Sequence, residues 1–589
     1  MKHTKKKLPT EWNLKMLYKS INDPQIEKDI VAIENACNSF AKKYAGKDFI
    51  SDIKKLLLSL GDYEKVYAIA VDAKGLWYAN LLIDTNIDRS KAESKLSQLE
   101  SRYTKAVNLL TFYLLDLGNI APKMQKDINK NADFKPYAYF LKTVWRSAKH
   151  NLSEKEENLL SLVSDSSREK WISGHQKLIS GKTVSHKGKN MTISEASLVL
   201  FGLPDKERQI LQKKINDVYI ECSSFAEAEM NAIVSFKKIK DELRGFAKPY
   251  SSTVISYQNQ EKTVENLVDT VTVGFKLSKK FYTVHAKVLG KDKLTYADRN
   301  VPVGKIKKKF DYETSVELLK ESFGRVDPLY ADLLDTYVKN GQIDVYPKKG
   351  KRGGAYCSWL GENPIFVLLN HTNDARAFET FGHEIGHAIH GQMSMSQPTL
   401  YKDCTISTAE VASTFFEQIA LDEIEKHLSD DEKIILLHQK LIGDVSTVFR
   451  QIALFNFEAE LHTTVKEKGY VQKEEMAEMI NKHLQAYLGK IFTINQEDGY
   501  CFVGWPHIRN HFYVYSYAFG HLISKAMYAK LKADPSFNEK VKVFLSAGGS
   551  MSPEDIFKSI GIDVTKPDFF ELGLKEIEKD IKRLEKLVG

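Results

Sequence analysis

His383, Glu384 and His387 stand in the order HExxH within FETFGHEIGHAIHGQ. On a helix this spacing puts two imidazoles one turn apart on a single face, where they can chelate one Zn²⁺. The acid between them sits beside the ion without ligating it, the place a general base needs for peptide hydrolysis. A catalytic zinc takes a third protein ligand and keeps one position open for water. His390 lies seven residues beyond His383, a rise of about 10 Å along a helix. That is too far for convergence on one ion, so His390 is expected to be structural. The longer HExxH pattern with Gly and then His is excluded, because this chain has His390 and Met393 in those positions.

A carboxylate from a following helix is the remaining source of the third ligand. TISTAEVASTFFEQIALDEIEKH offers Glu410 and Glu417, seven residues apart on one face. Glu410 has a competing explanation, since Ser407 and Glu410 have the spacing of an S-x-x-E capping box. Glu417 and His390 are candidates to hold a metal-bound imidazole through its second nitrogen.

The elements that must position these groups are also legible. Phe378, Phe381, Ile385 and Ala388 form an apolar stripe behind the histidines, predicting a helix that starts near Asn373 and ends at Gly391. Gly382 and Gly386 cost this helix about 1 kcal/mol each relative to Ala. Close approach of another element, such as the Glu410 helix, would offset that. Upstream, IDVYP, AYCSWL and IFVLL read as three short strands separated by turns. Gly353, Gly354, Ala355 and Tyr356 open the second of these. Their small side chains let an extended peptide lie close and pair with the backbone, although a plain glycine turn explains the same letters.

Elsewhere the chain reads as mostly helix, as in Ile53, Leu56, Leu57, Leu60 and Tyr103, Val107, Leu110, Leu114. A short hairpin is expected around the Lys-Gly turn between Lys182 and Ser194. With 589 residues, two lobes are expected, and punctuation at Phe201–Arg208 divides them into 1–200, an N-terminal helical lobe, and 201–589, the catalytic region. A net charge of +8 is spread along the chain and gives no focused basic face for nucleic acid. Five scattered cysteines argue against a disulfide framework and fit a reducing compartment. The basic start MKHTKKK has no apolar run behind it, and no segment reaches the ~18 apolar residues of a membrane span. A soluble cytoplasmic protein is expected.

Taken together, HEIGHAIH, the glutamate of AEVASTFFE 23 residues after His387, the IDVYPKKGKRGGAYCSW and VLLNHT segments, PHIRNHFYVYSYAFG and the C-terminal FLSAGGSMSPEDIFKSIGIDVTKPDFF resemble the thimet oligopeptidase and oligoendopeptidase F family of zinc metallopeptidases. Oligoendopeptidase F is the more similar branch. The resemblance covers about residues 200–589. It implies that His383, His387 and Glu410 hold one Zn²⁺, that Glu384 is the general base toward a zinc-activated water, and that His507 with Tyr513 or Tyr517 stabilises the oxyanion. It also implies a mainly α fold, with two helical lobes flanking a deep channel and a small β-sheet beside the HExxH helix. Short unstructured peptides would be the substrates, with no nucleic-acid or membrane partner and nothing specified about oligomeric state. Where the thimet branch has glycines soon after its histidine, this chain has Ile508, Arg509 and Asn510. Two other readings use the same residues: trimming from a free peptide terminus, and a catalytically silent peptide-binding protein.

Overall fold

The computed structural model describes residues 8–589. The basic leader 1–7, part of the sequence argument against a secretory signal, lies outside the described residues. The chain is 72% helix and 3% strand, a mainly α fold with small sheets. Among the described residues no helix is long and apolar enough to cross a membrane.

Two compact units interleave along the chain. One comprises Met1–Lys149, Lys307–His427 and Met527–Ile562, and the other His150–Ile306, Leu428–Ala526 and Asp563–Gly589. In the first unit, helices from the chain's start bury a continuous apolar core that runs from Trp12 to Trp145 and takes in Phe366 and Leu368. Those two residues belong to the expected sheet. Its strands are Ile343–Asp344, Tyr356–Ser358 and Phe366–Leu368, with the last in the centre, parallel to the first and antiparallel to the second. The Trp12 indole N–H donates to the Val367 carbonyl at 2.8 Å, and the Trp77 indole N–H to Ser358 Oγ at 2.8 Å. Tyr356–Ser358 is therefore an edge strand braced from behind by N-terminal helices.

The HExxH helix spans Ala375–Ser394. Phe378, Phe381, Ile385 and Ala388 are all fully buried, as the stripe requires. The start falls near Asn373 as expected, and the C-terminal end differs. Asp374, not Asn373, caps the start, accepting from the Ala377 N–H at 3.0 Å, while Asn373 takes a left-handed turn at φ 58°. Gly391 does not end the helix. It lies inside the last turns because Trp359 covers it: a Cβ there would come within 2.9 Å of the indole.

In the second unit the expected hairpin is present, Thr183–His186 against Lys189–Thr192 across Lys187 and Gly188. Helix Asp205–Leu243, 39 residues long, is its longest element.

Candidate active site

The helix that follows the HExxH helix spans Ile406–Lys426, with Thr405 at its N-cap position. Ser407 is already helical, so the Ser407–Glu410 capping box does not form and Glu410 is left free of a capping duty. The two helices pack closely through the two glycines. A Cβ on Gly382 would stand 2.6 Å from Ala420 Cβ, and one on Gly386 2.8 Å from Ser413 Cα and 2.9 Å from Phe416 Cβ. Only Cβ-free positions allow this approach, and it carries Glu410 to the histidine face.

One ligand atom each from His383, His387 and Glu410 falls within a common 4.8 Å. His383 Nε2 is 3.9 Å from Glu410 Oε2, and the two imidazole centres are 5.0 Å apart. Two nitrogens and a carboxylate oxygen are a donor set suited to zinc, whose bonds of ~2.0–2.2 Å need only a small contraction of this cluster. Glu417 lies one face-repeat further and accepts from His383 Nδ1 at 2.7 Å. With Nδ1 so occupied, Nε2 is the nitrogen turned to the cluster.

Burial raises the Glu384 carboxyl to about 7. The His383 charge and the Cys357 backbone N–H oppose the rise, and Glu410 and Glu417 add to it. Its Oε2 has no hydrogen-bond partner. Burial alone would lower His383, but the Glu417 hydrogen bond and the charges of Glu417, Glu384 and Glu410 outweigh it and raise it to about 9. Burial also depresses His387 well below its ordinary value and raises Glu410. Three carboxylates around two imidazoles thus make a site with an excess of negative charge, which a divalent cation would compensate. His390 is outside the cluster. It is buried against Phe544, at 5.4 Å between rings, with Nε2 3.2 Å from Cys404 Sγ.

The edge strand meets this site through Cys357, whose backbone N–H opposes the rise of the Glu384 carboxyl. Gly353 and Gly354 lie in the preceding loop, where an added Cβ would meet nothing within 4 Å, and Gly354 has φ +79°. Asn370 Nδ2 donates to the Gly354 carbonyl at 2.7 Å. Ala355 leads into the strand. Tyr356 turns its side chain away, its hydroxyl donating to Asp84 Oδ2 at 2.6 Å and its ring edge-on to Trp12 at 6.3 Å. What Tyr356 offers a ligand is therefore its backbone.

His507, Tyr513 and Tyr517 belong to the second unit and come together there. His507 lies in a short 3₁₀ turn, Pro506–Asn510, with its ring centre 5.5 Å from Tyr513 and 6.0 Å from Tyr517, and the tyrosines 5.7 Å apart. Tyr515 is turned into the core and donates to Asn259 Oδ1 at 2.9 Å. His507 Nδ1 has no partner, and burial followed by the Arg450 charge lowers its proton affinity. Sequence reasoning missed what holds this turn. Arg509 is buried and pairs with Glu229 at 2.9 and 2.7 Å, while its third nitrogen donates to the Phe502 and Trp505 carbonyls. Further on, His511 and Phe512 are both left-handed, at φ 39° and 62°, and the Phe512 N–H donates to Glu458 at 3.0 Å. Only the absence of glycines between His507 and Tyr513 hinted at such a fixed turn.

A mainly helical chain that sets an HExxH pair against a glutamate from the next helix falls in the class of helical peptidases. Residues 212–576 match Peptidase family M3, and the chain belongs to that family. Residues 121–175 match a second family description, Oligopeptidase F. Oligopeptidase PepF of Bacillus subtilis is 27% identical over 87% of this chain and 78% of its own length. An oligoendopeptidase F homolog of Borreliella burgdorferi is 27% identical over 97% of this chain and 98% of its own. Among solved structures, a Chlamydophila abortus chain described as a peptidase superposes with a TM-score of 0.86 at 22% identity, covering 98% of both chains. Oligoendopeptidase-F from Enterococcus faecium does so at 0.71 and 18%, covering 96% of this chain and 99% of that one. At these identities the structural likeness speaks for the fold.

Proposed function

We propose that this chain is a zinc-dependent endopeptidase acting on short unstructured oligopeptides in the cytoplasm, a reducing compartment in which its five unpaired thiols would persist. The observation that carries the reading is the convergence of His383, His387 and Glu410 within 4.8 Å, beside a Glu384 oxygen that has no other partner. These three residues would hold one Zn²⁺, and the ion would supply the Lewis acidity that brings a water's pKa toward ~7.

The remaining work falls to the chain. Glu384, held near neutrality by burial, takes the proton of the attacking water and delivers it to the leaving amine nitrogen. Backbone groups of Gly353, Gly354, Ala355 and Tyr356, at the open edge of the sheet, pair with an extended peptide. His507 and a hydroxyl of Tyr513 or Tyr517 donate hydrogen bonds to the developing oxyanion. The names of the relatives, oligopeptidase and oligoendopeptidase, agree with peptide substrates of limited length.

The test is hydrolysis of peptides blocked at both ends, read by mass spectrometry. Cleavage that phenanthroline abolishes and zinc restores is expected. Glu384→Gln should retain zinc and lose turnover by about 10²–10⁴-fold. Strict dependence on a free terminus would replace endopeptidase action with trimming. Normal hydrolysis by the Glu384 variant would remove the base from the mechanism.

A further inference from the structure

The second unit contains a cavity of about 150 Å³ whose lining includes Arg299, Arg450, Tyr296, Phe201, Trp505 and Gln212. That is several times the space one water needs. Two guanidiniums bound it, and among the described residues neither makes an ion pair. The Arg299 guanidinium stacks on the Tyr296 ring at 3.8 Å and faces Phe201 at 5.0 Å, and its Nη1 donates to the Tyr296 carbonyl at 2.6 Å. Arg450 lies over Trp505 at 5.6 Å. Stacking accounts for the faces of both groups and leaves their edges. Nε of Arg299 and Nε of Arg450 are each buried without a hydrogen-bond partner.

Both side chains are half-buried, but an Nε–H shielded from water without a partner is costly, and two cations on one cavity repel each other. Both charges bear on the same neighbours, Tyr487 and Cys501. Asp498 is the carboxylate nearest in effect to Arg299, but it is spent on the Asn495 N–H and on Asn216 Nδ2, each at 2.9 Å. Planar N–H edges without a carboxylate match an oxyanion that accepts two hydrogen bonds from each guanidinium. The geometry points to a binding site for one small oxyanion, a phosphate-type ion or a carboxylate, held between Arg299 and Arg450. Arg450 also bears electrostatically on His507, and Trp505 immediately precedes the turn that carries it. An anion bound here therefore touches the base of the His507 turn.

The experiment reads thermal unfolding and calorimetric binding of the full chain, with no dependence on hydrolysis, so it succeeds or fails separately from the peptidase reading. Phosphate, and an acetylated dipeptide with a free or an amidated C-terminus, are titrated against sodium chloride of matched ionic strength. Saturable stabilisation of roughly 2–5 °C near 100 times Kd is expected. A response to phosphate assigns the free ion as the source. A response to the free-acid dipeptide alone assigns a peptide carboxylate. Arg299→Gln and Arg450→Gln should each weaken binding about 10–100-fold. No shift beyond the chloride control overturns the site, as does a shift that persists in both variants. Should neither variant fold, tungstate soaked into wild-type crystals decides by anomalous scattering. A peak between the two guanidiniums supports the site, and peaks only elsewhere overturn it.

Discussion

Glu417 Oε2 lies 2.7 Å from His383 Nδ1, and Glu410 Oε2 lies 3.9 Å from Nε2 of the same ring. One imidazole is thus approached on both nitrogens by carboxylates two turns apart on a single helix. The first fixes the tautomer and the ring plane, and the second belongs to the candidate metal cluster. Replacing Glu417 with Gln keeps the shape and removes the charge that orients the ring. Zinc affinity should fall about 10–100-fold while the fold stays intact. Competition with a chromogenic chelator measures this, and unchanged affinity would show that Glu417 has no part in holding the site.

The glycine seam between the same helices gives a second test. Gly382→Ala gains about 1 kcal/mol of helix propensity, but its new methyl would stand 2.6 Å from Ala420 Cβ. Overpacking costs roughly 1–3 kcal/mol and should dominate. Ala420→Gly removes the opposing methyl. The double variant should then be more stable than the two single effects add up to, with a coupling of about 0.5–3 kcal/mol. Gly353→Ala, where a Cβ meets nothing within 4 Å, serves as the control and should change stability by less than about 0.5 kcal/mol. Urea denaturation of the wild type and these four variants decides. Simple additivity would mean that the helices are not in contact along this strip.

Much of this site was legible in the sequence because its geometry is local. HExxH fixes two imidazoles on one face, and a seven-residue spacing puts Glu410 and Glu417 on one side of the next helix. The paired glycines announced the close approach of those helices, and short apolar runs between turns gave all three strands. Features that depend on partners distant in sequence were not legible. Gly391 resembles a helix terminator until Trp359 is seen lying over it, and Ser407 resembles a cap until the helix is found to begin at Ile406. Arg509 acquires meaning only through Glu229, 280 residues away. Interleaved compact units leave no compositional boundary, because each is assembled from three separate stretches.

Acid should destabilise the protein, for a reason outside the metal cluster. Burial holds His175, His438 and His462 at about 3 and His390 at about 4, down from 6.5. Below pH 6.5 the unfolded chain binds protons at these positions and the folded one does not. Stability is therefore lost as pH falls from 6.5 toward 3–4. Glu458 acts in the opposite sense. Burial raises it from 4.5 to about 8, so its contribution is full below 4.5 and fades as pH rises through about 8. Burial raises Glu384 and Glu229 in the same sense as Glu458, but it also lowers His285, His371 and His483. The larger set of neutral histidines predicts a net fall in Tm between pH 7 and 5. His462→Gln should flatten that fall. A Tm that rises on acidification across this interval would contradict the neutral, buried state of these rings.

Tyr513 and Tyr517 bear on the proposed oxyanion donors as a pair rather than as two alternatives. Their rings are 5.7 Å apart, both lie beside His507, and burial followed by the neighbouring Tyr517 raises the Tyr513 hydroxyl above its ordinary range. If one hydroxyl meets the oxyanion and the other orients it, each Tyr→Phe change disables the same unit. The more damaging single variant should lower kcat about 10²–10³-fold with little change in KM, as expected for a bond made in the transition state. The double variant should then lose no more than that single one, because effects within a functional unit do not multiply. Steady-state kinetics on a blocked peptide supply both numbers. Losses that multiply would assign the two tyrosines separate duties, and a loss confined to KM would move both from catalysis to substrate binding.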